Sequence, residues 1–242
     1  MNNGKQGMDI GELLESRAAK ALSELPIPVA EMVDRYLSVT TPMVNDALRE
    51  RNLLYQTLPN GISPLRENMK MAGIAFTIKG TKSLVIKNEM EERATMLESI
   101  PANSVVVWDT SEDDESAQWG EVMTMAAVRR GCRGAVVDGG VRDTPKVLEQ
   151  GFPLFVRYRS SNGMLGRFRI IGWDIPVRIG NVQIHPGDLV VGDMDGVIIV
   201  PRRYAYEVLL RAEEIRDTET DIKRWINSGM SANEVVERGG YF

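Results

Sequence analysis

The segment Gly134–Asp143 is an apolar run that ends in a glycine turn, followed at once by an arginine and a carboxylate. Residues 135–137 are the kind that fill a buried strand, and the glycines at 139–140 let the backbone turn sharply close to a ligand. Arg142 and Asp143 therefore come where a strand gives way to a helix. Ligands collect at such turns in α/β proteins, because the following helix presents free N–H groups. A guanidinium suits a carboxylate and the neighbouring Asp suits a hard cation, so the pair predicts a site for a metal-bound small organic acid.

Strands and helices alternate through the middle of the chain. The pattern predicts a buried strand over 104–109, a helix over 121–130 and, after the Arg-Asp turn, a short helix over 144–151. This order favours parallel strands joined by crossover helices. Short strands separated by turn residues then occupy 153–201, and an amphipathic helix follows over 204–227. The predicted fold class is therefore α/β.

The N-terminal part of the chain is predicted to be mostly helical. Helices are expected over 10–25 and 29–36, and a third begins at Thr40, because threonine before proline supplies a cap and a preset first turn. No repeat, low-complexity segment or linker divides the chain. We therefore predict an N-terminal helical segment over 1–72, packed on a core over 73–242, within one structural domain.

Composition limits the classes of function. The chain has 242 residues, 43% of them hydrophobic, and a formal net charge of −5, whereas nucleic-acid binders usually carry a basic surface. We therefore expect no nucleic-acid partner. The N-terminus lacks the apolar core of a signal peptide, and no apolar run is long enough to span a bilayer. We expect a cytoplasmic location and no membrane partner.

The cysteine and histidine content narrows the chemistry further. The single cysteine, Cys132, rules out an intrachain disulfide and is expected to be a buried structural thiol. The single histidine, His185, rules out a multi-histidine zinc site and is expected at the rim of a turn. Neither the P-loop glycine spacing nor a G-x-G-x-x-G after a strand is present, which weakens NTPase, dinucleotide-binding and methyltransferase interpretations.

Three stretches in order along the chain, Trp119–Met123, Gly134–Asp143 and Pro186–Pro201, resemble the motifs of the aldolase/RraA-like family. The similarity extends from about Gly73 to the C-terminus and includes the turn Gly151–Pro153. It implies a three-layer β/β/α sandwich of the swivelling-domain type. It also implies assembly as a homotrimer, often doubled to a homohexamer, with active sites in clefts between neighbouring subunits.

The enzymes of that family are divalent-metal-dependent pyruvate aldolases and 2-oxo-acid decarboxylases, while another branch regulates ribonuclease E without catalysis. The family's aldolase motif is an acid, twenty residues, Arg-Asp, two residues and a further acid. Here Arg142 and Asp143 match, and Glu121 stands at the first position. Lys146 occupies the place of the closing acid, although Glu149 lies one helical turn later on the same face and could replace that acid.

The resemblance also implies roles for these residues. Asp143 would hold Mg²⁺ or Mn²⁺ largely through water, as these ions prefer when few carboxylates are supplied. Arg142 would bind the carboxylate of a small-molecule 2-oxo acid, helped at the start of a helix by Gly120 and by the backbone N–H groups of Val122 and Met123. The metal would chelate the carboxylate and keto oxygens, and with the arginine it would stabilise the enolate that carbon–carbon cleavage leaves.

Further acids complete the implied site. Glu121 would orient a water that moves the proton. An acid of the late helix of a neighbouring subunit approaches the site and its metal in family members, and Glu219 is the best match here. Glu213 and Glu214 are alternatives, and any of the three can equally be part of a solvated helix face.

We therefore interpret the chain as a divalent-metal-dependent lyase that cleaves a carbon–carbon bond in a 2-oxo acid, as a pyruvate-releasing aldolase or an oxaloacetate-type decarboxylase. The main alternative is a non-catalytic RraA-like regulator that binds a protein partner such as a ribonuclease; Glu121 favours the enzyme and Lys146 the regulator. A third alternative is a lyase that forms a Schiff base on Lys146. In the least specific interpretation, Arg142 and Asp143 only pin their loop as a surface ion pair.

Overall fold

The computed structural model describes residues 10–11 and 24–242. The helices of residues 24–242 are α1 (Val29–Tyr36), α2 (Thr41–Arg49), α3 (Glu89–Glu98), α4 (Glu121–Arg129), α5 (Thr144–Glu149), α6 (Ala205–Asn227) and α7 (Ala232–Glu237), with a 3₁₀ turn at Arg202–Tyr204. The strands are β1 (Ser63–Pro64), β2 (Met71–Lys82), β3 (Ser104–Asp109), β4 (Ala117–Trp119), β5 (Gly134–Val141), β6 (Leu154–Arg159), β7 (Phe168–Trp173), β8 (Val177–Ile179), β9 (Val182–Ile184), β10 (Leu189–Asp193) and β11 (Gly196–Val200).

Nine of these strands form one curved sheet in the order β1-β6-β5-β3-β2-β10-β11, with β4 paired to β5 and β7 paired to β2. The strands β2, β3, β5 and β6 are parallel neighbours, and α3, α4 and α5 connect them. An antiparallel hairpin of β10 and β11 extends the sheet, and β8 pairs with β9 in a separate hairpin. The predicted parallel strands with crossover helices are therefore confirmed, as is the α/β fold class.

The sheet bends at β2, which is 12 residues long. Its first half pairs with β10 and its second half with β7, so both antiparallel partners lie on the same edge, opposite β3. The register shifts between Lys79 and Gly80. A Cβ atom at Gly80 would lie 2.3 Å from the ring of Phe168, so the close crossing of β7 requires glycine. A long strand with an irregularity of this kind turns the sheet around its core.

Two hydrophobic clusters fill the fold. The larger one packs the parallel strands against α3, α4 and α5 and includes Trp108, Trp119 and Phe155. The smaller one packs α1, α2 and α6 against β10 and β11. Contacts distant in sequence join its helices; the hydroxyl of Tyr36, for example, donates to the carbonyl of Ala205 at 2.6 Å.

The helices α1 and α2 of the N-terminal segment therefore pack on the β10–β11 hairpin and on α6, whereas apolar residues between 58 and 71 belong to the larger cluster. A division of the chain at residue 72 stays a prediction. The helix predicted over 10–25 falls almost entirely outside the described residues. Among the residues that the structure describes, no helix is long and apolar enough to cross a membrane.

Three elements of the structure were not predicted from the sequence. The strands β1 and β4 have only 2 and 3 residues, and α7 lies in a polar tail, although its Ser231–Glu234 capping box is a signal that could have revealed it. The strand β4 follows a charged loop, yet all of its residues are buried. By pairing with β5 it brings the start of α4 next to the Arg-Asp turn.

Candidate functional site

The Arg-Asp pair lies at the end of β5, where the sheet gives way to α5. The backbone N–H of Arg142 donates to the carbonyl of Trp119 at 3.0 Å, so β4 and β5 hold this turn together. Asp143 directly precedes α5 and has φ 54° and ψ 29°. This left-handed conformation is costly for a residue with a side chain, and such strain is concentrated at functional sites. Six other non-glycine residues of the described chain also have a positive φ, so this conformation is compatible with a site but does not by itself mark one.

Two glycines leave room for the pair. A Cβ atom at Gly120 would lie 2.9 Å from Oδ2 of Asp143 and 3.3 Å from Cγ of Arg142. A Cβ atom at Gly163 would lie 2.7 Å from Nη1 of Arg142. The guanidinium is thus held between the start of α4 and the loop that follows β6. The backbone of Gly120 is extended, so space and not its φ angle requires glycine there.

The charges of the pair are only loosely satisfied within the chain. Nε of Arg142 lies 3.5 Å from Oδ2 of Asp143, and the two side chains are 50% and 44% exposed. Across residues 24–242, no other group forms a hydrogen bond or ion pair with either side chain. An ion pair this exposed contributes little to stability. Both charges are therefore available to a ligand.

The pair opens on a cleft of about 410 Å³. Besides Arg142 and Asp143, the cleft is lined by Val141, Thr144, Pro145, Arg159, Ser160 and Ser161. One carboxylate faces two guanidinium groups there, and hydroxyl groups complete the polar lining. In a chain whose formal net charge is −5, this local excess of positive charge favours a small anion.

The start of α4 adds hydrogen-bond donors beside the pair. Gly120 is its N-cap residue, and no side chain caps the helix. The backbone N–H groups of Val122 and Met123 lie in the first turn, where an α-helix has no internal acceptors. The helix start therefore supplies free donors and a partial positive charge next to Arg142.

Glu121 lines a neighbouring cleft of about 500 Å³ between α4 and α5, not the cleft of the Arg-Asp pair. Lys146 also lines it and pairs with Glu149, with Nζ 2.8 Å from Oε2. The hydrogen bond to Glu149 raises the pKa of Lys146, and the charge of Glu121 adds to this effect. A Schiff-base lysine needs a lowered pKa, so the shift argues against Lys146 as a nucleophile. Glu149, the candidate to replace the closing acid, is engaged by Lys146.

The three late acids lie on α6, which packs on α1 and α2. Glu213 accepts hydrogen bonds from Arg35, at 2.9 Å from Nε and 2.5 Å from Nη2. Glu219 pairs with Lys223 on the next turn of its own helix at 3.1 Å, and Glu214 is also paired within α6. None of the three lines the cleft within one chain. A role for Glu219 at the site depends on a neighbouring subunit and stays a prediction.

A second set of charges crosses the parallel strands near their carboxyl ends. Lys79 of β2 pairs with Asp109 of β3, with Nζ 2.7 Å from Oδ2. Asp138 of β5 comes next and lies 3.6 Å from Arg157 of β6. Lys79 is the register partner of Asp109, and Asp138 and Arg157 each directly follow a paired residue, Val137 and Val156, on the next two strands. We call these four residues the charge row.

The charge row is buried, unlike the Arg-Asp pair. The side chains of Asp109 and Asp138 are only 4% and 9% exposed. Burial raises the pKa of Asp138 to about 6, against the lowering effect of Arg157, and the charge of Asp109 raises it as well. Asp109 also accepts the backbone N–H groups of Ser111 and Arg178, at 2.8 and 3.2 Å. The row thus joins strands and loops at this end of the sheet.

Four residues of this region were not included in the site predicted from the sequence: Asp109, Asp138, Arg159 and Gly163. Asp109 and Asp138 each follow an apolar strand run, which is a signal that could have marked them. Nothing in the sequence marks Arg159 or Gly163, because their nearness to Arg142 results from the pairing of β5 with β6 and from the loop beyond it.

The single cysteine and histidine lie as predicted. Cys132 is buried, and burial raises the pKa of its thiol, as expected of a structural residue. His185 is exposed before β10, and its backbone N–H donates to Asp188 at 2.8 Å. Within the described part of the chain, no group of three or more His, Cys, Asp or Glu side chains could hold a metal ion. A metal at Asp143 would therefore depend on water and ligand oxygens.

Comparison with known proteins gives the relationship of the chain. The family model described as RraA-like, Aldolase/RraA, matches residues 41–199. Protein DlpA of Legionella pneumophila is 30% identical over 176 residues, which are 73% of this chain but only 29% of that protein. A protein of Halalkalibacterium halodurans, provisionally named 4-hydroxy-4-methyl-2-oxoglutarate aldolase, is 29% identical over 205 residues, which are 84% of this chain and 91% of the relative.

Solved structures share the fold. A protein described among novel cellulases from microbes associated with the gut ecosystem is 47% identical with a TM-score of 0.84, over 88% of this chain and 96% of the other. Streptomyces coelicolor RraAS2, described as an unusual member of the RNase ES inhibitor RraA protein family, is 26% identical with a TM-score of 0.69, over 85% and 98%. The fold implied by the resemblance is therefore confirmed, and the chain belongs to the RraA-like family.

Proposed function

We propose that this chain is a divalent-metal-dependent lyase that cleaves a carbon–carbon bond in a 2-oxo acid and releases pyruvate. One observation carries the proposal: Arg142 and Asp143, both about half exposed, lie side by side in a cleft next to the free N–H groups of a helix start. An anion and a cation can bind next to each other there. The provisional aldolase name of the Halalkalibacterium halodurans relative supports the same class of reaction.

Asp143 fits a divalent metal ion. Its carboxylate accepts no hydrogen bond from the described residues, and the nearest cation is the Arg142 side chain at 3.5 Å. Mg²⁺ is usually bound through one or two carboxylates with several waters, which suits a cleft whose lining has one carboxylate. Asp143 would hold the ion, and a bound ion would supply charge stabilisation for a developing oxyanion.

The other groups of the site bind the substrate and move its proton. The planar fork of Arg142 binds the substrate carboxylate, and the N–H groups of Val122 and Met123 bind further oxygens. In an aldol cleavage the C4 hydroxyl gives its proton to a water, the C3–C4 bond breaks so that C4 leaves as the carbonyl of the second product, and the electron pair of that bond forms the enolate of pyruvate. In a decarboxylation CO₂ leaves from C3 instead. The charge of Arg142 stabilises this enolate. Glu121, in the neighbouring cleft, orients a water that protonates C3.

The active form is a homotrimer or homohexamer in which a neighbouring subunit completes the cleft. The helix α4 exposes a row of apolar side chains at helical spacing, since Val122, Met125 and Val128 are 74%, 57% and 49% exposed. Such a row favours a protein interface. Because α4 begins beside Arg142, a neighbour bound to this row would lie close to the cleft, and Glu219 is the acid expected from it.

Pyruvate-release assays test the proposal. Purified chain with Mg²⁺ or Mn²⁺ is offered 4-hydroxy-4-methyl-2-oxoglutarate, oxaloacetate and related 2-oxo acids, and pyruvate is followed with lactate dehydrogenase. We expect turnover of at least one acid, and the ratio of aldol cleavage to decarboxylation identifies the main activity. Folded, assembled protein that turns over none of these acids with either metal would contradict the proposal.

A non-catalytic regulator is the second candidate, and Lys146 is the observation that favours it. The family's closing acid is replaced here by a lysine that pairs with Glu149 at 2.8 Å. The similarity to RraAS2 supports the same candidate. An RNA-cleavage assay with a ribonuclease of the E or ES type distinguishes the two candidates. If the chain is a regulator, the wild-type protein and the Arg142→Ala variant should inhibit RNA cleavage equally.

The cellulase description of the 47% identical structure does not transfer to this cleft. Glycosidases cleave with two carboxylates about 5–10 Å apart, one on each side of the scissile bond. The lining here contains one carboxylate, Asp143, together with two arginines. Its charge suits an anionic substrate and not a neutral sugar chain.

A further inference from the structure

Arg159 is a second cation in the cleft of the Arg-Asp pair. It is the last residue of β6, it is exposed, and it lines the same cleft as Arg142 and Asp143. Across residues 24–242, no group forms a hydrogen bond or ion pair with its guanidinium. An unpaired guanidinium in a cleft is ready to bind a carboxylate.

Arg157 provides an internal comparison. It lies two residues earlier in β6, so both arginine side chains leave the strand on the same side. Arg157 has a counter-charge on the neighbouring strand, because Asp138 lies 3.6 Å away. Opposite Arg159, the neighbouring strand has Val141 instead. The fold therefore supplies a carboxylate to one of these arginines and none to the other.

Two serines follow Arg159 in the lining of the cleft. The backbone N–H of Ser160 donates to the carbonyl of Val141 at 3.0 Å, which fixes the chain just after Arg159. The hydroxyl of Ser160 is engaged, since it donates to the carbonyl of Glu115 at 3.0 Å. The hydroxyl of Ser161 has no partner among the described residues. A free hydroxyl next to a free guanidinium gives the two kinds of donor that a carboxylate accepts.

We infer that Arg159 and Ser161 bind a second carboxylate, at the end of the substrate opposite its 2-oxo acid group. The cleft then selects 2-oxo acids that carry a carboxylate at both ends over those with an apolar end. Arg159 is a specificity-determining residue outside the reacting centre, which belongs to Arg142 and Asp143. The inference rests on the proposed function, because it places both ends of one substrate in the proposed cleft.

Binding of two matched acids tests the inference. Titration calorimetry with Mg²⁺ compares 2-oxoglutarate and 2-oxopentanoate, which share a five-carbon skeleton and differ in a carboxylate or a methyl group at C5. We expect the wild-type chain to bind 2-oxoglutarate about tenfold more tightly. Arg159→Gln should abolish this preference with unchanged affinity for 2-oxopentanoate, and Arg159→Lys should restore part of it. Arg66→Gln, which removes an exposed and unpaired arginine outside the cleft, should behave like the wild type.

Cleavage kinetics give a second readout. The substrates 4-hydroxy-2-oxoglutarate and 4-hydroxy-2-oxopentanoate both release pyruvate and differ in the same distal group. Arg159→Gln should raise KM for the first about tenfold and leave its kcat unchanged, because the contact is made equally in the ground and transition states. Both constants for the second substrate should stay at their wild-type values.

Three results would overturn the inference while the proposed function stands. The first two are equal binding of the two acids by the wild type and an equal loss of affinity for both acids in Arg159→Gln. The third is loss of subunit assembly in that variant, which would show that Arg159 pairs with a neighbouring subunit. If the wild-type chain binds neither acid, the proposed function fails and the inference fails with it. Circular dichroism and gel filtration of each variant distinguish these results from misfolding.

Discussion

The Arg-Asp pair and the charge row lie near the carboxyl ends of the same parallel strands, but their charges are satisfied in different ways. In the row, Asp109 and Asp138 are almost buried, and each has a cation from an adjacent strand. In the pair, Arg142 and Asp143 are about half exposed and 3.5 Å apart. The row neutralises its charges within the fold, whereas no further group of the described chain pairs with Arg142 or Asp143.

We interpret this difference as that between a structural element and the proposed functional site. Removal of one partner of a buried ion pair destabilises a fold, because the other charge stays buried without compensation. Removal of an exposed pair costs little stability. Substitutions in the row should therefore change stability and its pH dependence, and substitutions in the pair should change activity while folding is preserved.

Metal removal should have the largest effect on the pair and almost none on the row. Asp143 is the carboxylate in the cleft lining, so exhaustive chelation should lower pyruvate release by about a thousandfold or more, and added Mg²⁺ or Mn²⁺ should restore it. Thermal unfolding should hardly change, because the row is neutralised by protein groups. A borohydride-trapped adduct on Lys146, with activity indifferent to the chelator, would contradict this prediction and favour the Schiff-base alternative.

The shape of the arginine should matter in the pair and not in the row. Arg142→Lys keeps the charge but loses the planar fork, so we expect kcat/KM to fall by about a hundredfold with an unchanged unfolding midpoint. Arg157→Lys is the matched control, because it keeps a positive charge beside Asp138, and it should retain activity. Near-normal kinetics for Arg142→Lys, or an equal loss in both variants, would remove Arg142 from the proposed site.

Local sequence signals predicted the pair and the elements that carry it. The helix Val29–Tyr36 and the strand Ser104–Asp109 have the predicted bounds, because the spacing of apolar residues acts over a few positions. The turn with Arg142 and Asp143 also lies where the glycines and the apolar run indicated. These features depend on neighbours in sequence, and the sequence was sufficient for them.

Features that depend on strand order could not be predicted in the same way. Arg159 reaches the cleft because β6 pairs with β5, and the row exists because four neighbouring strands bring its residues to the same end of the sheet. Asp193 is a further example, since its carboxylate accepts the backbone N–H of Thr41 at 2.8 Å from 152 residues away. The exposure that separates the pair from the row likewise results from packing. The sequence therefore revealed which charges are present but not which of them are free.

Complementation should have an intermediate effect and tests whether the pair is completed by a neighbour. Arg142→Ala and Glu219→Ala chains, each inactive alone, are unfolded and refolded together. If each site combines the two residues from adjacent subunits, about one site in four is intact, so about a quarter of the activity should return. Each variant refolded alone is the control. No recovery in demonstrably mixed assemblies, or full activity in a monomer, would leave Glu219 as a helix residue paired with Lys223.

The smallest effect is expected in the charge row, at Asp138. Burial raises its pKa from the ordinary value of 3.8 to about 6, so between these values the folded chain binds a proton more tightly than the unfolded chain. The contribution of this group to the free energy of unfolding is therefore greatest below pH 4 or so, falls as the pH rises to about 6, and is constant above that. Asp138→Asn removes the titration and should remove this fall.

Denaturant titrations at several pH values measure the difference between Asp138→Asn and the wild type. As the pH rises from about 4 to 7, we expect the free energy of unfolding of the variant to increase relative to that of the wild type by about 1–2 kcal/mol. This is less than the ~3 kcal/mol that corresponds to two pKa units, because Arg157 is partly exposed. Asp195→Asn, in an exposed turn, is the control and should show no such trend. A difference that does not change with pH would contradict this prediction. If Asp138→Asn instead loses activity with unchanged stability, the charge row belongs to the proposed site. That result would contradict the comparison between the charge row and the Arg-Asp pair.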